Sequence, residues 1–286
     1  MSTCATIIEK VLIMWIAIQS ILNYNPNAFT FRKAFPDIAL ASCIADTLGK
    51  RIDDETSEEE LAGITGGLSI ISYSDENGNI HDCADLTGIR YLKGLTEFDC
   101  YKNDVVEIPA EIKELKDLKV LNLTKAYSLT TIPPEIGELR DLEVLRLSLT
   151  SLEKLPKEIG NLSSLVFLDA SATPINELPE EIGKLKNLES LDIHASGVKT
   201  LPDSICDLEN LKYLDLSHLE LEKLPADFGN LTKLEELNLF NCNLKILPRS
   251  MERLTSLRSI NLYDNFELSE SYKEFLPKKL WEGKNF

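Results

Sequence analysis

Carboxylates and aromatic rings recur at a fixed spacing in the middle of this 286-residue sequence. Asp169, Asp192 and Asp215 follow one another at intervals of 23 residues, and Phe167 and Tyr213 precede the first and the last by two positions. Neighbouring carboxylates repel each other, and a basic side chain of a partner would relieve that repulsion. Aromatic anchors among carboxylates suit protein recognition. These residues therefore predict protein binding, provided that the fold brings them to one surface.

The same spacing adds further candidates on both sides of these five residues. They stand at equivalent places in the neighbouring sequence units, or two positions further along the chain. The predicted partner-binding residues are Val144, Arg146, Phe167, Asp169, Asp192, His194, Tyr213, Asp215, Asn238 and Phe240. An alternative stays open, in which the aspartates only keep this surface soluble.

Residue types that carry out catalysis or bind metals do not form a consistent pattern. The sequence has three histidines, and His194 and His218 lie near acids without a short ligand pair. A calcium loop at Asp75 is disfavoured, because the glycine stands at the fourth place rather than the sixth and no late glutamate follows. Neither a Gly-rich phosphate loop nor a nucleophile elbow is present. We therefore expect a protein that is not an enzyme and that uses no cofactor and no metal ion.

An internal repeat must position the candidate residues. A shift of 23 residues reproduces a unit that opens with alternating apolar residues, as in a half-buried strand, and closes with a proline and a short helical pattern. The proline suits the first position of a helical turn, where no amide donor is missed. The units start at Leu95, Leu118, Leu142, Leu165, Leu188, Leu211, Leu234 and Leu257.

A single unit cannot bury its own apolar side chains. Stacking on neighbouring units buries them and continues the strand ladder, so stability becomes a sum over nearest neighbours. In the unit from Leu165, the inward positions are Leu165, Leu168, Ala170, Ile175, Leu178, Ile182 and Leu185. The repeat therefore predicts a stacked solenoid.

The unit LxxLxLxx followed by LPxxIGxL resembles the leucine-rich repeat family, especially the 23-residue repeats of Ras-group proteins. The resemblance covers eight units between Leu95 and Leu268. It implies an α/β fold, a leucine-rich repeat solenoid shaped as a curved horseshoe. A parallel β-sheet would line its concave face, short helical turns its convex face, and a helical cap would precede it. The candidate residues would then point outwards from the concave sheet.

One position departs from the family pattern. The resemblance implies an asparagine at the exit of each strand, whose side chain satisfies loop amides of adjacent turns. The first and last units keep it as Asn103 and Asn265. The units between them carry Ala126, Thr150, Thr173, Ser196, Leu219 and Cys242. We expect hydroxyl groups or water to replace the asparagine there.

The residues before the repeats resemble the helical N-terminal cap of bacterial internalins, on the pattern FPD…LA…LGK that starts at Phe35. Apolar spacing predicts a helix from Ile38 to Leu48, and Gly49 ends it. Such a cap would cover the apolar end and the strand edge of the first repeat. Two further local signals lie in this region. Ser57 and Glu60 form a capping box for a short helix. Asn77-Gly78 between the strand-like runs 68–74 and 80–83 predicts a hairpin.

Residues 11–22 are apolar on every side of a helix, and they are too few to span a bilayer, which needs about 20. They suit the core of a secretory signal peptide. A packed N-terminal helix remains the alternative, because Glu9 precedes the run and no clean cleavage site follows it. The predicted division is a leader over 1–33, a cap with a hairpin over 34–94, eight repeats over 95–268 and a C-terminal cap over 269–286.

Composition narrows the choice of partners. The formal net charge of −17 argues against binding to nucleic-acid backbones and to anionic membranes. The six cysteines are scattered, so we interpret them mostly as buried thiols rather than disulfides or metal ligands. We expect a monomer that binds a protein ligand, one with a basic patch, and that does not insert stably into membranes once mature.

Three classes of function are compatible with this pattern. The first is a secreted or cell-surface adhesin or effector, which the internalin resemblance and the leader favour. The second, kept as the alternative, is a cytoplasmic scaffold like the Ras-group proteins. The third is an enzyme, since similar repeats occur in bacterial ubiquitin-ligase effectors with a Cys-x-Asp motif in a separate C-terminal domain. Cys83-Ala-Asp85 fits that motif but lies in the predicted N-terminal cap, which disfavours this class.

Overall fold

Short strands recur at the repeat spacing in the computed structural model. It describes residues 27–280, except 71, 72, 75–77, 79 and 222. The strands of this part of the chain are β1 (Phe29–Thr30), β2 (Glu55–Thr56), β3 (Gly66–Ser69), β4 (Tyr73–Ser74), β5 (Ile80–His81), β6 (Leu95–Asp99), β7 (Val120–Asn122), β8 (Val144–Arg146), β9 (Phe167–Asp169), β10 (Ser190–Asp192), β11 (Tyr213–Asp215), β12 (Glu236–Asn238) and β13 (Ser259–Asn261).

One parallel sheet joins the eight repeats. Its strand order is β3-β6-β7-β8-β9-β10-β11-β12-β13, so every repeat contributes one strand and β3 adds an edge strand before them. The register follows the sequence repeat, with Phe167 opposite Ser190 and Ser190 opposite Tyr213. The leucine-rich repeat solenoid is therefore confirmed. We call the outward side of this sheet the concave face.

The inward positions form one continuous core. All seven apolar residues assigned to the unit from Leu165 are buried, and Leu191 at the centre of β10 is completely buried. Burial of about 25 cal/mol per Å² of apolar surface drives the stacking of one unit on the next. None of the described cysteines forms a disulfide bond, and Cys83, Cys100, Cys206 and Cys242 are buried in this core.

Short 3-10 turns, rather than α-helical turns, occupy the opposite side of the solenoid. They are Ile89–Tyr91, Ala110–Glu114, Pro134–Glu138, Lys157–Asn161, Glu180–Lys184, Asp203–Asp207, Phe228–Asn230, Arg249–Arg253, Glu270–Glu274 and Lys278–Leu280. The turns stack so closely that a Cβ atom on Gly160 would lie 2.4 Å from the backbone oxygen of Glu181. This close approach explains the glycine of the LPxxIG pattern.

The repeated proline does not take the predicted first position of the turn. Pro179, for example, precedes its 3-10 turn with an extended backbone, at φ −67° and ψ 147°. Its ring fixes φ near −65°, which suits an extended cap as well as a helical residue. The proline therefore closes the extended segment, and the carbonyl of Pro179 accepts the first hydrogen bond of the turn from Ile182.

The N-terminal cap contains three short helices, α1 (Phe31–Ala34), α2 (Ile38–Thr47) and α3 (Glu58–Ala62). Asp37 caps α2 through its side chain, and Ser57 caps α3 by accepting a hydrogen bond from the amide of Glu60. Phe31 is completely buried, and β1 pairs with β2. The fold therefore begins before residue 34, the predicted start of the cap. Residues 1–26, which hold the predicted signal peptide, lie outside the described residues.

The predicted hairpin is present but shorter than the sequence suggests. β4 and β5 pair antiparallel around Gly78. The residues just before them do not continue the hairpin, because β3 pairs in parallel with β6 instead. The hairpin is thus an insertion between the edge strand and the first repeat. Asp75, Asn77 and Asn79, considered as a calcium loop, lie outside the described residues.

The C-terminal end of the core is covered by residues after β13. Tyr272, Leu276 and Leu280 are buried there, and Phe275 is partly buried. Trp281, which belongs to the predicted C-terminal cap, lies outside the described residues. In the described part of the chain, no helix combines the length and apolar character needed to cross a membrane.

The chain leaves each repeat strand through the same backbone conformation. A residue three positions after each strand has a positive φ, between 50° and 63°, and none of these residues is glycine. They are Lys102, Lys125, Leu149, Ala172, Ala195, His218, Asn241 and Asp264. Except for Asp264, each donates its amide to a carbonyl of the next unit, as Ala172 does to His194 at 2.8 Å. The tight turn is therefore held by a second backbone ladder beside the sheet.

Candidate functional site

The ten predicted partner-binding residues lie on the concave face, on or just after the five consecutive strands β8 to β12. Those at the first strand position are Val144, Phe167 and Tyr213, all half-buried. Arg146, Asp169, Asp192, Asp215 and Asn238 form the neighbouring row, and His194 and Phe240 stand just beyond the strand ends. The structure therefore places these residues on one face in the predicted order.

The aspartates have a structural task that the sequence did not reveal. The Oδ1 atom of Asp169 accepts hydrogen bonds from the backbone amide and the hydroxyl of Ser171, at 3.0 and 2.6 Å. Asp215 is bound in the same way by Ser217. Such side-chain turns stop the strand and turn the chain. The signal in the sequence is the Asp-x-Ser spacing, which two of the three units share.

Asparagine performs the same task in other units. Its side-chain oxygen accepts from the amide two residues later at Asn122, Asn238 and Asn261. The turn therefore needs an acceptor and not a charge. Three consecutive units carry aspartate instead of asparagine. Since the turn does not need their negative charge, that charge can serve another purpose on this part of the concave face.

Arg146 is the exception in this row, since it cannot accept such a bond. Its guanidinium carbon lies 5.1 Å from the centre of the Phe167 ring. A guanidinium over an aromatic face is attracted by the ring electrons. Although Arg146 stands opposite Asp169 in the register, no ion pair joins them in the described structure. The concave face thus already contains a stacked arginine and phenylalanine.

Tyr213 is fixed at the other side of the candidate surface. Its hydroxyl donates to Oδ2 of Asp215 at 3.1 Å, and Asn238 donates to the same oxygen at 2.8 Å. Asp215 is only 8% exposed, so all of its acceptor capacity is used inside the protein. Burial, followed by the nearby charges of Asp215 and Asp192, raises the pKa of Tyr213. The tyrosine therefore stays neutral and presents a rigid ring.

Asp192 lies between the other two aspartates and contacts His194. Its Oδ1 atom accepts from the backbone amide of His194 at 3.0 Å and lies 2.8 Å from the ring Nδ1. Burial raises the pKa of Asp192, although both hydrogen bonds from His194 act in the opposite direction. A buried ionised carboxylate gains free energy when a cation approaches it.

Asp192, His194 and Asp215 could together hold a metal ion, since one ligand atom from each lies within 4.8 Å of the others. The sequence places His194 near these acids but offers no short ligand pair. The chemistry of the donors fits poorly, because both oxygens of Asp215 already accept hydrogen bonds from Ser217, Tyr213 and Asn238. A metal ion would have to displace those donors from a buried carboxylate. We therefore interpret the trio as part of the hydrogen-bonded turns.

The buried thiols lack the features of a nucleophile. Cys83 of the Cys-x-Asp match is completely buried, and burial and the neighbouring Asp37 raise its pKa. Burial likewise raises the pKa of Cys206 and of Cys242 to about 12. A thiol reacts as the thiolate, so these groups stay unreactive near neutral pH.

The position at the exit of each strand, where the family pattern has asparagine, differs between the end units and the middle units, as the sequence indicated. Asn265 accepts from the amides of Cys242 and Leu244 and donates to the carbonyl of Leu239. In the middle, Thr150 and Thr173 each donate to the carbonyl three residues earlier, at 2.8 Å. The two threonine hydroxyl groups therefore replace the donor half of asparagine but not its acceptor half. The buried hydroxyl of Ser196, at the same position, has no hydrogen-bond partner in the described structure.

Comparison with known proteins settles the family. A family model for the leucine-rich repeat region matches residues 68–171 and 157–284. The chain belongs to the leucine-rich repeat family. Its fold is one that generally serves as a non-enzymatic protein-binding module. A search of curated proteins found no match.

Solved structures of other leucine-rich repeat proteins are similar to this one. A leucine-rich repeat protein of Leptospira interrogans is 32% identical over 67% of this chain and 54% of its own, with a TM-score of 0.53. This chain thus spans about half the length of that relative. Internalin C2 of Listeria monocytogenes is 17% identical over 84% of this chain and 99% of its own, with a TM-score of 0.50. At that identity, the likeness to the internalin concerns the fold alone.

Proposed function

We propose that this leucine-rich repeat protein binds a partner protein on its concave face, through the ten residues between Val144 and Phe240 named above. The observation that carries the proposal is the pair of half-buried rings, Phe167 and Tyr213, beside three aspartates on a rigid sheet. Aromatic residues dominate the energetics of protein interfaces, and the carboxylates favour a partner with a basic patch. The turns fix the backbone in advance, which lowers the cost of binding.

The proposal includes a place of action outside the cell. We infer a secreted or surface-attached adhesin or effector from the apolar run at residues 11–22, which suits a signal peptide. A cytoplasmic scaffold is the alternative. N-terminal sequencing of the protein from culture medium and from cells distinguishes them: a processed terminus in the medium supports secretion, and an intact terminus only in cells supports the scaffold.

Binding is tested with immobilised wild-type protein and matched variants. Phe167→Ala and Tyr213→Ala should each weaken capture of the partner, by about 2 kcal/mol or more if the rings are anchors. Glu180→Lys is the control, because Glu180 is exposed on a 3-10 turn at the opposite side. Titration calorimetry with the purified partner measures the losses, and melting curves confirm that the variants fold. Normal binding by both ring variants would place recognition on another surface.

A further inference from the structure

The concave face contains a gap between two aromatic rings. Phe167, Ser190 and Tyr213 are facing residues on three adjacent strands, β9, β10 and β11. The two aromatic residues are therefore two strand spacings apart, about 9.6 Å, with only a serine side chain between them. A flat group stacked between two rings needs about 7 Å, since carbon atoms make contact at about 3.5 Å. We call this gap the Phe167–Tyr213 slot.

Both walls of the slot are held in place. The guanidinium of Arg146, a residue of β8, lies over one face of the Phe167 ring, which leaves the other face on the side away from Arg146. On the other side, the hydrogen bond from the Tyr213 hydroxyl to Asp215 anchors the second ring. The slot therefore does not depend on a partner to order its walls.

The slot ends on a carboxylate with a free acceptor. Asp192 follows Ser190 by two residues on the same face of β10, and His194 binds its Oδ1 atom. In the described structure no donor reaches Oδ2 of Asp192. The Asp169 and Asp215 carboxylates flank it. Of the basic groups nearby, Arg146 stacks on Phe167, and Lys212 pairs with Glu189 at 2.8 Å. The local charge is thus unfavourable for anions and favourable for a cation.

We infer that the Phe167–Tyr213 slot binds an arginine side chain of the partner protein, with the guanidinium between the rings and hydrogen-bonded to Asp192. The inference rests on the proposed function and specifies the chemistry of the partner. A guanidinium is planar, weakly hydrated and able to stack and to donate hydrogen bonds at once, whereas a lysine ammonium group cannot stack in this way. The contact of Arg146 with Phe167 is the same interaction within the protein.

The inference is tested with short probes rather than with the partner. Acetyl-Gly-Arg-Gly-amide is titrated into the full-length, ¹⁵N-labelled protein at low salt, beside lysine and leucine analogues. We expect amide shifts centred on Ser190, Asp192 and Tyr213, with the arginine probe binding about two- to five-fold more tightly than the lysine probe. The leucine probe should cause no such shifts.

Two variants of the slot and one control variant identify the slot as the site. Ser190→Leu fills it and should abolish the response, whereas Ser259→Leu places the same residue at the equivalent position of β13 and should leave it unchanged. Asp192→Asn keeps the turn and should weaken binding of the arginine probe at least two-fold. If Ser190→Leu does not fold, the Asp192→Asn titration decides.

Equal binding of the lysine probe, shifts spread over the acidic surface, or an unchanged response of the slot variants would overturn the inference. These outcomes differ from failure of the proposed function. A partner captured on the concave face while the arginine probe is not bound removes only the arginine slot. If both ring variants still capture the partner normally, the concave-face proposal itself is wrong.

Discussion

The carboxylate of Asp192 is bonded both to the backbone amide of His194, at 3.0 Å, and to the ring of the same residue, at 2.8 Å. The first bond recurs in the described repeats. Each aspartate or asparagine at the last position of a repeat strand accepts a hydrogen bond from the amide two residues later, as Asp99 and Asn238 do. The structure therefore separates two properties of the residue. Its oxygen is needed for the turn, and its negative charge is available for binding.

Asp192→Asn should preserve the fold and raise the free energy of unfolding slightly at pH 7. The carboxamide keeps the acceptor, and the change removes repulsion from Asp169 and Asp215, each worth nearly 1 kcal/mol at one strand spacing in a water-like medium. We therefore expect a gain of up to about 1 kcal/mol, because other charges and salt offset part of the repulsion. Urea denaturation of both proteins measures it, and a loss above 1 kcal/mol would show that the charge stabilises the turn.

The difference in the free energy of unfolding between Asp192→Asn and the wild-type protein should depend on pH. Burial raises the pKa of Asp192 in the folded state above its ordinary value of 3.8, so the folded protein holds this proton more tightly than the unfolded chain. The stabilisation from that proton is complete below pH 3.8 and is lost as the pH rises through the folded-state pKa. The advantage of Asp192→Asn should therefore shrink as the pH falls from 7 towards 4. A constant difference would contradict this assignment.

Replacing Ala172 tests the strained conformation after the strand. Ala172 has φ 50°, which costs a non-glycine residue about 1–2 kcal/mol. Glycine removes that strain but loses about 0.5–1 kcal/mol through entropy, so Ala172→Gly should be neutral or stabilising by up to about 1 kcal/mol. Ala172→Val should destabilise by about 1–3 kcal/mol, because branched residues tolerate this region poorly.

Ala170→Gly is the matched control for this series. Ala170 is completely buried two residues earlier and has no positive φ, so glycine there should cost about 1 kcal/mol. Thermal and urea melts of the three variants give the order of stability. If glycine is equally harmful at both positions, the positive φ of Ala172 does not carry strain.

Asn265 should be far more important to stability than the threonines that replace it in the middle units. It connects the amides of Cys242 and Leu244 with the carbonyls of Leu239 and Leu262 in a buried site. Each buried polar group left unpaired costs about 1–3 kcal/mol, so Asn265→Ala should lose about 3 kcal/mol or more. Hydrogen exchange should show the loss as faster exchange at Cys242 and Leu244.

Thr150→Val provides the comparison, since it removes one hydrogen bond to the carbonyl of Leu147 and keeps the shape of the side chain. We expect a loss of about 1 kcal/mol. Equal losses at both positions would mean that water already satisfies the backbone groups around Asn265.

The sequence predicted the long-range arrangement of this fold better than its local turns. The 23-residue spacing aligns Phe167, Ser190 and Tyr213, because equal units stack in register. The extended backbone of Pro179 was not predicted, since proline has the same φ in a helical turn and in an extended cap. The edge strand β3 was also assigned wrongly to the hairpin, because the inserted residues after it break the repeat spacing.

The same contrast applies to the candidate site. The sequence identified which side chains share the concave face, because the strand period alone determines it. The bonds from Ser171 to Asp169 and from Tyr213 to Asp215 depend on how each turn folds back, so the repeat spacing did not reveal them. Ser190 is not among the predicted partner-binding residues, because the sequence alone does not show that its small side chain lies between two rings.

The last prediction concerns where the folded protein begins. A protein that starts at residue 27 should unfold like the full chain, because it keeps β1, the Thr30 cap of α1 and the buried Phe31. A protein that starts at residue 34, after the predicted leader, loses all three. Removing a buried phenylalanine typically costs about 3–5 kcal/mol, so this shorter protein should melt at a lower temperature. The shorter protein also lacks Arg32, which pairs with Asp53 at 3.1 Å, but that exposed pair contributes little.

Circular dichroism melts and hydrogen exchange of the two truncated proteins and the full chain make the comparison. The loss in the shorter protein should be confined to α2, α3 and Tyr91, whose ring loses its contact with Phe29. The repeats beyond β7 should keep their protection, because a solenoid transmits stability mainly between neighbours. Phe31→Ala in the longer protein is the control for a single lost side chain. An aggregated protein starting at residue 27 would show that residues 1–26 belong to the core, and equal stability of both truncated proteins would show that Phe31 does not support the cap.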